Sequence, residues 1–248
     1  MVHCGHHVSD TKLMSKVTAQ FQNDGVLART LPGFQPRAAQ MAMAQAVERS
    51  IIERSQLVVE AETGTGKTFA YLVPTLLNPG KVIISTGTKA LQEQLYHRDL
   101  PALRAALAPA KLIALLKGRA NYLCLHRLNQ ASNQAGALSS EQQQQLVAVR
   151  QWAQRTTDGD IGTINVIPED AAIIPVVTST VDNCLGRDCP DYQACYLVKA
   201  RQRALDADMV VVNHHLFFAD MALRDVGFGE LIPQADAIIF DEAHQLPD

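Results

Sequence analysis

The chain of 248 residues has no long apolar run, although 47% of its residues are hydrophobic. A helix that spans a membrane needs roughly 20 predominantly apolar residues in a row. The first residues, MVHCGHHVSDTK, also lack the apolar stretch that a secretion signal requires. We therefore expect a cytoplasmic protein without a membrane segment.

The chain also has no large excess of charge of either sign. The formal net charge is −3, and the isoelectric point lies near 6.2. A chain without a strong positive field does not attract nucleic acid through its overall charge. Any nucleic-acid site must therefore be a local patch of basic side chains.

Disulfide bonds are not expected, because cysteines of a cytoplasmic chain are usually ligands or free thiols. Cys184, Cys189 and Cys195 form a C-x₄-C-x₅-C pattern, and Cys124 precedes them. Four thiolates fit an iron–sulfur cluster. A zinc site normally uses closer cysteine pairs, although His126 lies near Cys124 in the sequence. Spacing alone leaves the cluster, zinc and unrelated buried thiols as open alternatives.

The stretch AETGTGKT fits the pattern of a phosphate-binding loop, with Ala61 at the position of the first glycine. In such a loop, backbone N–H groups surround the phosphates, a lysine neutralises their oxygens, and a hydroxyl helps to hold Mg²⁺. Lys67 and Thr68 are the matching residues. The predicted loop comprises Ala61, Glu62, Thr63, Gly64, Thr65, Gly66, Lys67 and Thr68.

A phosphate loop of this kind joins a strand to a helix. The apolar run LVV at residues 57–59 predicts the strand, and residues 69–77 form an apolar stretch compatible with the helix. The alternative is a simple glycine turn. It does not explain why the glycine-lysine-threonine triplet occurs at the positions that the phosphate-loop pattern requires.

The run IIFDEAH at residues 238–244 places two carboxylates after a predicted buried strand, where open α/β sheets bind ligands. Asp241 is suited to the Mg²⁺ shell, and Glu242 to orienting and deprotonating the attacking water. His244 could report the nucleotide state to a neighbouring domain. An acidic helix cap is the plainer alternative, and the phosphate loop in the same chain argues against it.

Apolar periodicity predicts an α/β fold with a parallel sheet. Residues 36–54 indicate an amphipathic helix, and residues 81–85 a strand followed by a helical stretch at 88–106. The runs ADMVVVN at 207–213 and ADAIIF at 235–240 are typical of strands buried on both faces.

Residues 111–200 differ from both flanks, because they hold four cysteines and a glutamine-rich helical segment at 141–155. We interpret this block as an insertion into the α/β domain. Residues 1–30 form a lead-in, in which we expect Cys4, His6 and His7 to be flexible chain. The predicted organisation is a lead-in at 1–30, a first part of the α/β domain at 31–110, the insertion at 111–200 and a second part at 201–248.

These motifs together resemble the first RecA-like motor domain of superfamily 2 helicases. GFQPRAAQ resembles the family's adenine-side motif, with Arg37 and Gln40 at the matching positions. STGTKALQEQL resembles the motif that contacts the nucleic-acid backbone, which makes Thr86, Thr88 and Gln94 candidates for DNA binding. NHHLF at residues 213–217 is typical of the XPD-like group and its bacterial DinG and YoaA relatives.

KGRANYLC, followed by the cysteine-rich segment, resembles the cluster domain of XPD-like helicases. The resemblance implies that Cys124, Cys184, Cys189 and Cys195 hold a [4Fe–4S] cluster in a mainly helical insertion. It also makes Arg119 and Tyr122 the best candidates for DNA contacts within a local patch. The other members of that patch would be Lys117, Arg127, Arg187, Lys199, Arg201, Arg203, Tyr192 and Tyr196.

The resemblance implies an ATP-dependent, Mg²⁺-requiring helicase that moves 5′ to 3′ on single-stranded or forked DNA in repair or replication. Replication or repair proteins would be partners, and we expect a monomer. Only about 30 residues precede the adenine-side motif, which favours the YoaA type. The chain ends soon after His244 without a second RecA-like domain, so we expect this segment alone to bind ATP weakly and not to unwind DNA.

Two alternatives belong to other classes. One is an RNA helicase of the DEAH type, against which the cysteine block argues. The other is a non-enzymatic module that binds DNA or protein through a zinc-stabilised insertion. Loss of nucleotide binding in Lys67→Ala would disfavour that module.

Overall fold

A computed structural model describes residues 15–225 and 231–246. Cys4, His6 and His7 lie outside the described residues. No helix in the described part of the chain is both long and apolar enough to cross a membrane.

Helices and parallel strands alternate along the described residues. In chain order the elements are α1 (Lys16–Gln20), α2 (Val26–Thr30), α3 (Ala38–Glu53), α4 (Lys67–Leu77), β1 (Val82–Thr86), α5 (Lys89–Gln94), α6 (Leu100–Leu107), β2 (Ile113–Leu115), α7 (Leu125–Asn133), α8 (Ser140–Ala153), α9 (Ile174–Val177), α10 (Tyr196–Asp206), β3 (Met209–Asn213), α11 (His214–Asp225) and β4 (Ala237–Phe240). A π-helical turn, Leu95–Asp99, separates α5 from α6.

The chain divides into two compact units. The first covers residues up to 79 together with 97–110, and it contains the phosphate loop between α3 and α4. Every residue from Ala70 to Leu76 of α4 is buried, so α4 is the central helix of this unit. The predicted helices at 36–54 and 69–77 are confirmed by α3 and α4.

The second unit covers residues 80–96 and 111–248 and contains a four-stranded parallel sheet in the order β2-β3-β1-β4. Its core is formed by apolar side chains of the strands and of α10, among them Ile83, Leu116, Leu197 and Val210. The predicted α/β fold with a parallel sheet is confirmed. The strand predictions at 81–85, 207–213 and 235–240 correspond to β1, β3 and β4.

Two strand predictions are corrected. The run at residues 57–59 forms no strand, because no described strand pairs with its backbone through hydrogen bonds. Val58 is 97% exposed. β4 is not buried on both faces as β1 is. It pairs only with β1 and lies at the edge of the described sheet, where Ile238 is 47% exposed.

Between β2 and β3 the chain builds a mainly helical segment with its own apolar core, which includes Leu146, Val149, Trp152 and Ile173. Helix α8 begins with a capping box in which Ser139 and Gln142 each bond the other's backbone. The predicted insertion range at 111–200 includes β2, which pairs with β3, and stops inside α10.

Candidate nucleotide, nucleic-acid and metal sites

The phosphate loop uses glycine where its backbone requires it. Gly64 has φ of 82° and Gly66 has φ of 84°, a left-handed conformation that costs side-chain-bearing residues free energy. Gly66 is also the N-cap of α4, so the loop ends at the start of a helix of 11 residues. This combination presents backbone N–H groups and a helix N-terminus at the same place, which is the arrangement that binds phosphate.

The polar side chains of the loop bond its own carbonyl groups. The Nζ atom of Lys67 donates to the Ala61 carbonyl at 2.9 Å, and the Thr65 hydroxyl donates to the Glu62 carbonyl at 2.8 Å. Glu62, Thr63 and Gly64 are exposed, and Thr68 is half-buried. The Lys67 ammonium is therefore held beside an accessible loop, where a phosphate could replace its carbonyl partner.

Both residues of the predicted adenine-side motif contact this loop. The Arg37 guanidinium donates to the Gly64 carbonyl. The Gln40 amide donates to the Gly66 carbonyl at 3.0 Å and is buried. In this conformation both side chains therefore support the two left-handed glycines.

The DEAH loop, residues 241–244, starts at the end of β4 in the second unit. The backbone N–H of Asp241 donates to the Ser85 carbonyl at 2.8 Å, which extends the pairing of β4 with β1. Glu242 has φ of 56° and ψ of 50°, a left-handed conformation. His244 Nδ1 lies 3.5 Å from the Glu242 carboxylate, and its side chain is largely exposed.

The predicted DNA motif follows β1, and its residues have different environments. Thr86 is fully buried, and its hydroxyl donates to the Thr88 carbonyl at 3.2 Å. Thr88 is the N-cap of α5 and accepts from the Leu91 N–H at 3.2 Å. Thr88 and Gln94 are exposed. The position of Thr86 does not support a direct DNA contact, because it is covered by protein and shapes the start of α5 instead.

Tyr122 and Lys117 are also buried rather than at a surface. Tyr122 is 4% exposed, so its ring cannot stack on a base as predicted. Its hydroxyl accepts from the Lys117 N–H at 3.1 Å, and burial raises its pKa to about 12. Lys117 pairs with Asp160 at 2.5 Å and with Glu93. The basic patch therefore loses Lys117, which joins α5 to the helical segment.

The four predicted cluster cysteines form no disulfide. Cys124 and Cys195 are the N-caps of α7 and α10. Burial raises the pKa of Cys124, and the nearby thiols of Cys195, Cys189 and Cys184 raise it further.

A cationic side chain accompanies the thiols. Arg201 of α10 is half-buried. Burial and the charge of Arg119 lower its pKa, whereas Cys184, Cys195 and Tyr192 raise it. Positive charges at this place would offset the negative charge of several thiolates.

One compact group of possible metal ligands occurs within the described residues. Ligand atoms of His126, Cys189 and Asp191 lie within 4.8 Å of one another. The spacing suits one metal ion, and it includes one of the four cysteines. Sequence reasoning noted the proximity of His126 to Cys124 but gave Asp191 no role.

The histidine of the NHHLF motif has a role that periodicity alone did not suggest. His214 is 1% exposed, and its Nδ1 atom lies 2.7 Å from the Ser85 hydroxyl. Ser85 is near the end of β1, and His214 directly follows β3. Since parallel strands end at the same edge of a sheet, these two positions could have been predicted to meet.

A phosphate loop, a DEAH loop and a parallel sheet in one chain define the class of DEAD/DEAH box helicases. The model of the DEAD/DEAH box helicase family matches residues 38–139. The chain carries the nucleotide-site and DEAH motifs of that class. Comparison with individual helicases shows which members of the class it resembles.

The chain is 57% identical over 232 residues to the ATP-dependent DNA helicase YoaA of Escherichia coli (strain K12), a match covering 94% of this chain and 36% of that protein. It is 56% identical over 228 residues to YoaA of Haemophilus influenzae, covering 92% and 36%. It is 36% identical over 234 residues to the ATP-dependent helicase DinG of Mycobacterium tuberculosis (strain H37Rv), covering 86% and 34%. The chain therefore carries a DEAD/DEAH box helicase domain similar to that of DinG-like helicases, and it spans about 36% of the length of its YoaA relatives.

Proposed function

We propose that the chain is the nucleotide-binding part of an ATP-dependent DNA helicase that moves 5′ to 3′ on single-stranded DNA. The observation that carries the proposal is the phosphate loop, in which Gly64 and Gly66 are left-handed and the Lys67 ammonium is held beside the loop. The YoaA and DinG relatives, named as ATP-dependent helicases, support the same function.

The roles of the nucleotide-site residues follow from their chemistry. Lys67 would neutralise phosphate oxygens, while the loop's backbone N–H groups hold the phosphates. Thr68 would contribute its hydroxyl, and Asp241 its carboxylate, to Mg²⁺, which supplies charge neutralisation during phosphoryl transfer. Glu242 would orient the attacking water and accept its proton, and His244 would report the nucleotide state.

The four cysteines fit an iron–sulfur cluster. Cys124, Cys184, Cys189 and Cys195 form no disulfide, and the other three thiols help to raise the pKa of Cys124. Arg201 adds positive charge beside them. Each cysteine of a [4Fe–4S] cluster ligates a different iron, so the four sulfurs need not approach as closely as the ligands of one ion. The cluster would hold the helical insertion in its shape.

A zinc-stabilised binding module is the second candidate function. It is favoured by the group of His126, Cys189 and Asp191, whose spacing suits a single ion. Under this alternative the insertion would bind DNA or protein without any contribution from nucleotide.

DNA would bind through exposed residues of the second unit. Thr88 and Gln94 lie exposed at the two ends of α5. The half-buried Arg119, in the turn before Tyr122, would add a positive charge. We propose single-stranded or forked DNA as the partner of a cytoplasmic, monomeric protein that acts with repair or replication proteins.

Nucleotide binding is tested with a fluorescent ATP analogue and Mg²⁺. Lys67→Ala should abolish saturable binding, since the loop loses its only phosphate-neutralising side chain. Lys16→Ala is the matched control, because Lys16 is an exposed lysine of the same unit, in α1. Equal binding by both variants and by the unchanged chain would contradict the proposed nucleotide site.

The metal is tested by purifying the chain without oxygen and measuring iron, sulfide and zinc together with the visible spectrum. About four irons with matching sulfide are expected per chain. Cys184→Ser should lose them, whereas Cys4→Ser should retain them. Stoichiometric zinc without iron, persisting after attempted cluster reconstitution, would favour the zinc-stabilised module.

A further inference from the structure

A buried histidine lies where three parallel strands of the second unit end. His214 directly follows β3, and its Nδ1 atom is 2.7 Å from the hydroxyl of Ser85 in β1. Both residues are buried, His214 at 1% exposure and Ser85 at 0%. β1 pairs with β3 on one side and with β4 on the other, so Ser85 lies between the histidine and the strand that leads to the DEAH loop.

The second ring nitrogen of His214 lacks a partner. Its Nε2 atom is buried and has no hydrogen bond to any residue that the structure describes. A neutral imidazole ring carries one N–H, on one of its two nitrogens. If the Ser85 hydroxyl donates to Nδ1, that N–H is on Nε2. A buried donor without an acceptor is costly, so a state in which it has one is favoured.

The nearest candidates for that acceptor belong to the DEAH loop. The ring of Phe240 lies with its centroid 6.0 Å from that of His214, and the chain continues into Asp241 and Glu242. The backbone of these two residues already lies near enough to the ring to raise its pKa, although Nε2 makes no hydrogen bond of normal geometry. Glu242 is also left-handed, which is unfavourable for a residue with a side chain. An unsatisfied donor and a strained peptide therefore lie side by side.

We propose that His214 is a positioning residue that links the DEAH loop to the DNA-binding motif. In the nucleotide-bound state its Nε2–H donates to a backbone carbonyl of residues 241–242, while Ser85 holds the ring through Nδ1. The bond would form as Glu242 leaves its left-handed conformation. Because Thr86 and Thr88 follow Ser85 and start α5, the position of the DEAH loop would influence DNA binding. The inference rests on the proposed function.

The roles of the two ring nitrogens are tested separately by replacing His214 with asparagine or glutamine. His214→Asn can reproduce the contact to Ser85 but not the Nε2 donor, whereas His214→Gln can place an N–H near the Nε2 position. The readout is the dissociation constant of fluorescent oligo(dT), measured with and without Mg²⁺ and a slowly hydrolysed ATP analogue. The effect of nucleotide on the DNA dissociation constant distinguishes a positioning role from a structural one. Loss of a merely structural residue would change the dissociation constant equally with and without nucleotide.

In the unchanged chain, nucleotide should change the DNA dissociation constant about fivefold or more, a typical size for coupling between sites. His214→Asn should reduce that change to less than about twofold, and His214→Gln should restore most of it. Ser85→Ala serves as a second variant if His214→Asn does not fold, and it should weaken the coupling because the ring loses its orienting partner.

A direct signature is the Nε2–H resonance in a ¹⁵N-imidazole spectrum, which should become protected from exchange when nucleotide is added. Retention of full coupling in His214→Asn, or an Nε2–H that nucleotide leaves unchanged, would overturn the link while the proposed function stands. The link would also be overturned if the unchanged chain bound nucleotide and oligo(dT) without either changing the affinity for the other. Failure of the unchanged chain to bind nucleotide would overturn the proposed function and the link together.

Discussion

The ion-pair network around Lys117 gives the sharpest stability prediction. The Lys117 and Asp160 side chains are 6% and 7% exposed and pair at 2.5 Å, while the paired Glu93 side chain is 36% exposed. Lys117→Met keeps most of the side-chain volume and removes only the ammonium. The two carboxylates then face one another without their shared cation, and Asp160 cannot reach water.

The cost follows from the unequal burial of the two acids. Breaking a buried pair by removing one partner typically costs about 3–5 kcal/mol, because the other charge stays buried. Glu93 can turn toward solvent, and Asp160 keeps the Gly162 N–H at 3.0 Å. Both effects place the expected loss at the lower end, about 3 kcal/mol.

Urea unfolding followed by Trp152 fluorescence measures this loss. Trp152 is the only tryptophan and belongs to the core of the helical segment. With a slope of about 2–3 kcal/mol per molar urea, the midpoint should fall by roughly 1 M. Glu93→Gln should cost less than about 1 kcal/mol, as partly exposed pairs do. Asp160→Asn should recover part of the loss in the Lys117→Met background.

The pH dependence has a definite sign. Burial lowers the pKa of Lys117, but the hydrogen bonds and charges of Asp160 and Glu93 outweigh it, so the pKa is raised above 10.5. The stabilisation is therefore complete below pH 10.5 and is lost as the pH rises through the folded pKa. The stability difference between the unchanged chain and Lys117→Met should be constant at neutral pH and shrink only in strong alkali. A midpoint of Lys117→Met equal to that of the unchanged chain at pH 7 would refute the reasoning.

Three further predictions use other features. Tyr122 should titrate near pH 12 in ultraviolet absorbance, a step absent from Tyr122→Phe; because the unfolded chain loses this proton near pH 10.0, stability should decline between these values, and titration of all tyrosines near pH 10 would contradict its burial. Gly66→Ala should weaken nucleotide binding about tenfold, because φ of 84° costs alanine about 1–2 kcal/mol; the added Cβ would also lie 2.1 Å from Gln40 Nε2, so full recovery in a Gly66→Ala, Gln40→Ala double variant would show that the clash, not the backbone, dominates. Ser139→Ala should cost about 1 kcal/mol in urea unfolding, since it removes the cap of α8, whereas Ser140→Ala, one residue inside the helix, should be nearly neutral; equal effects would exclude the capping role.

The local motifs were predictable because their geometry depends on few residues. The glycines of the phosphate loop specify left-handed positions by themselves, and the helix that follows needs only its apolar residues. The strand at residues 57–59 was not predictable in the same way. A strand exists only with a neighbour, and an apolar run does not indicate whether a partner pairs with it.

Burial of polar residues marks the other limit of sequence reasoning. Thr86 and Tyr122 belong to motifs that resemble DNA-binding segments, yet both are buried and bond the backbone. Lys117 was predicted as part of a basic surface and is instead neutralised by two acids. A motif pattern identifies which side chains matter, but the partner that each one meets depends on contacts across many residues of sequence.

The order of the strands explains why the carboxyl ends of this sheet form one connected site. β1 lies between β3 and β4, so the end of β1 is flanked by the residues that follow both neighbours. Ser85 bonds His214 through its hydroxyl and accepts the Asp241 N–H through its carbonyl. A displacement of the DEAH loop must therefore strain a bond to β1 or move its end, and α5 begins three residues later. If β1 lay at an edge, it would contact only one of these loops, and no single residue could transmit between them.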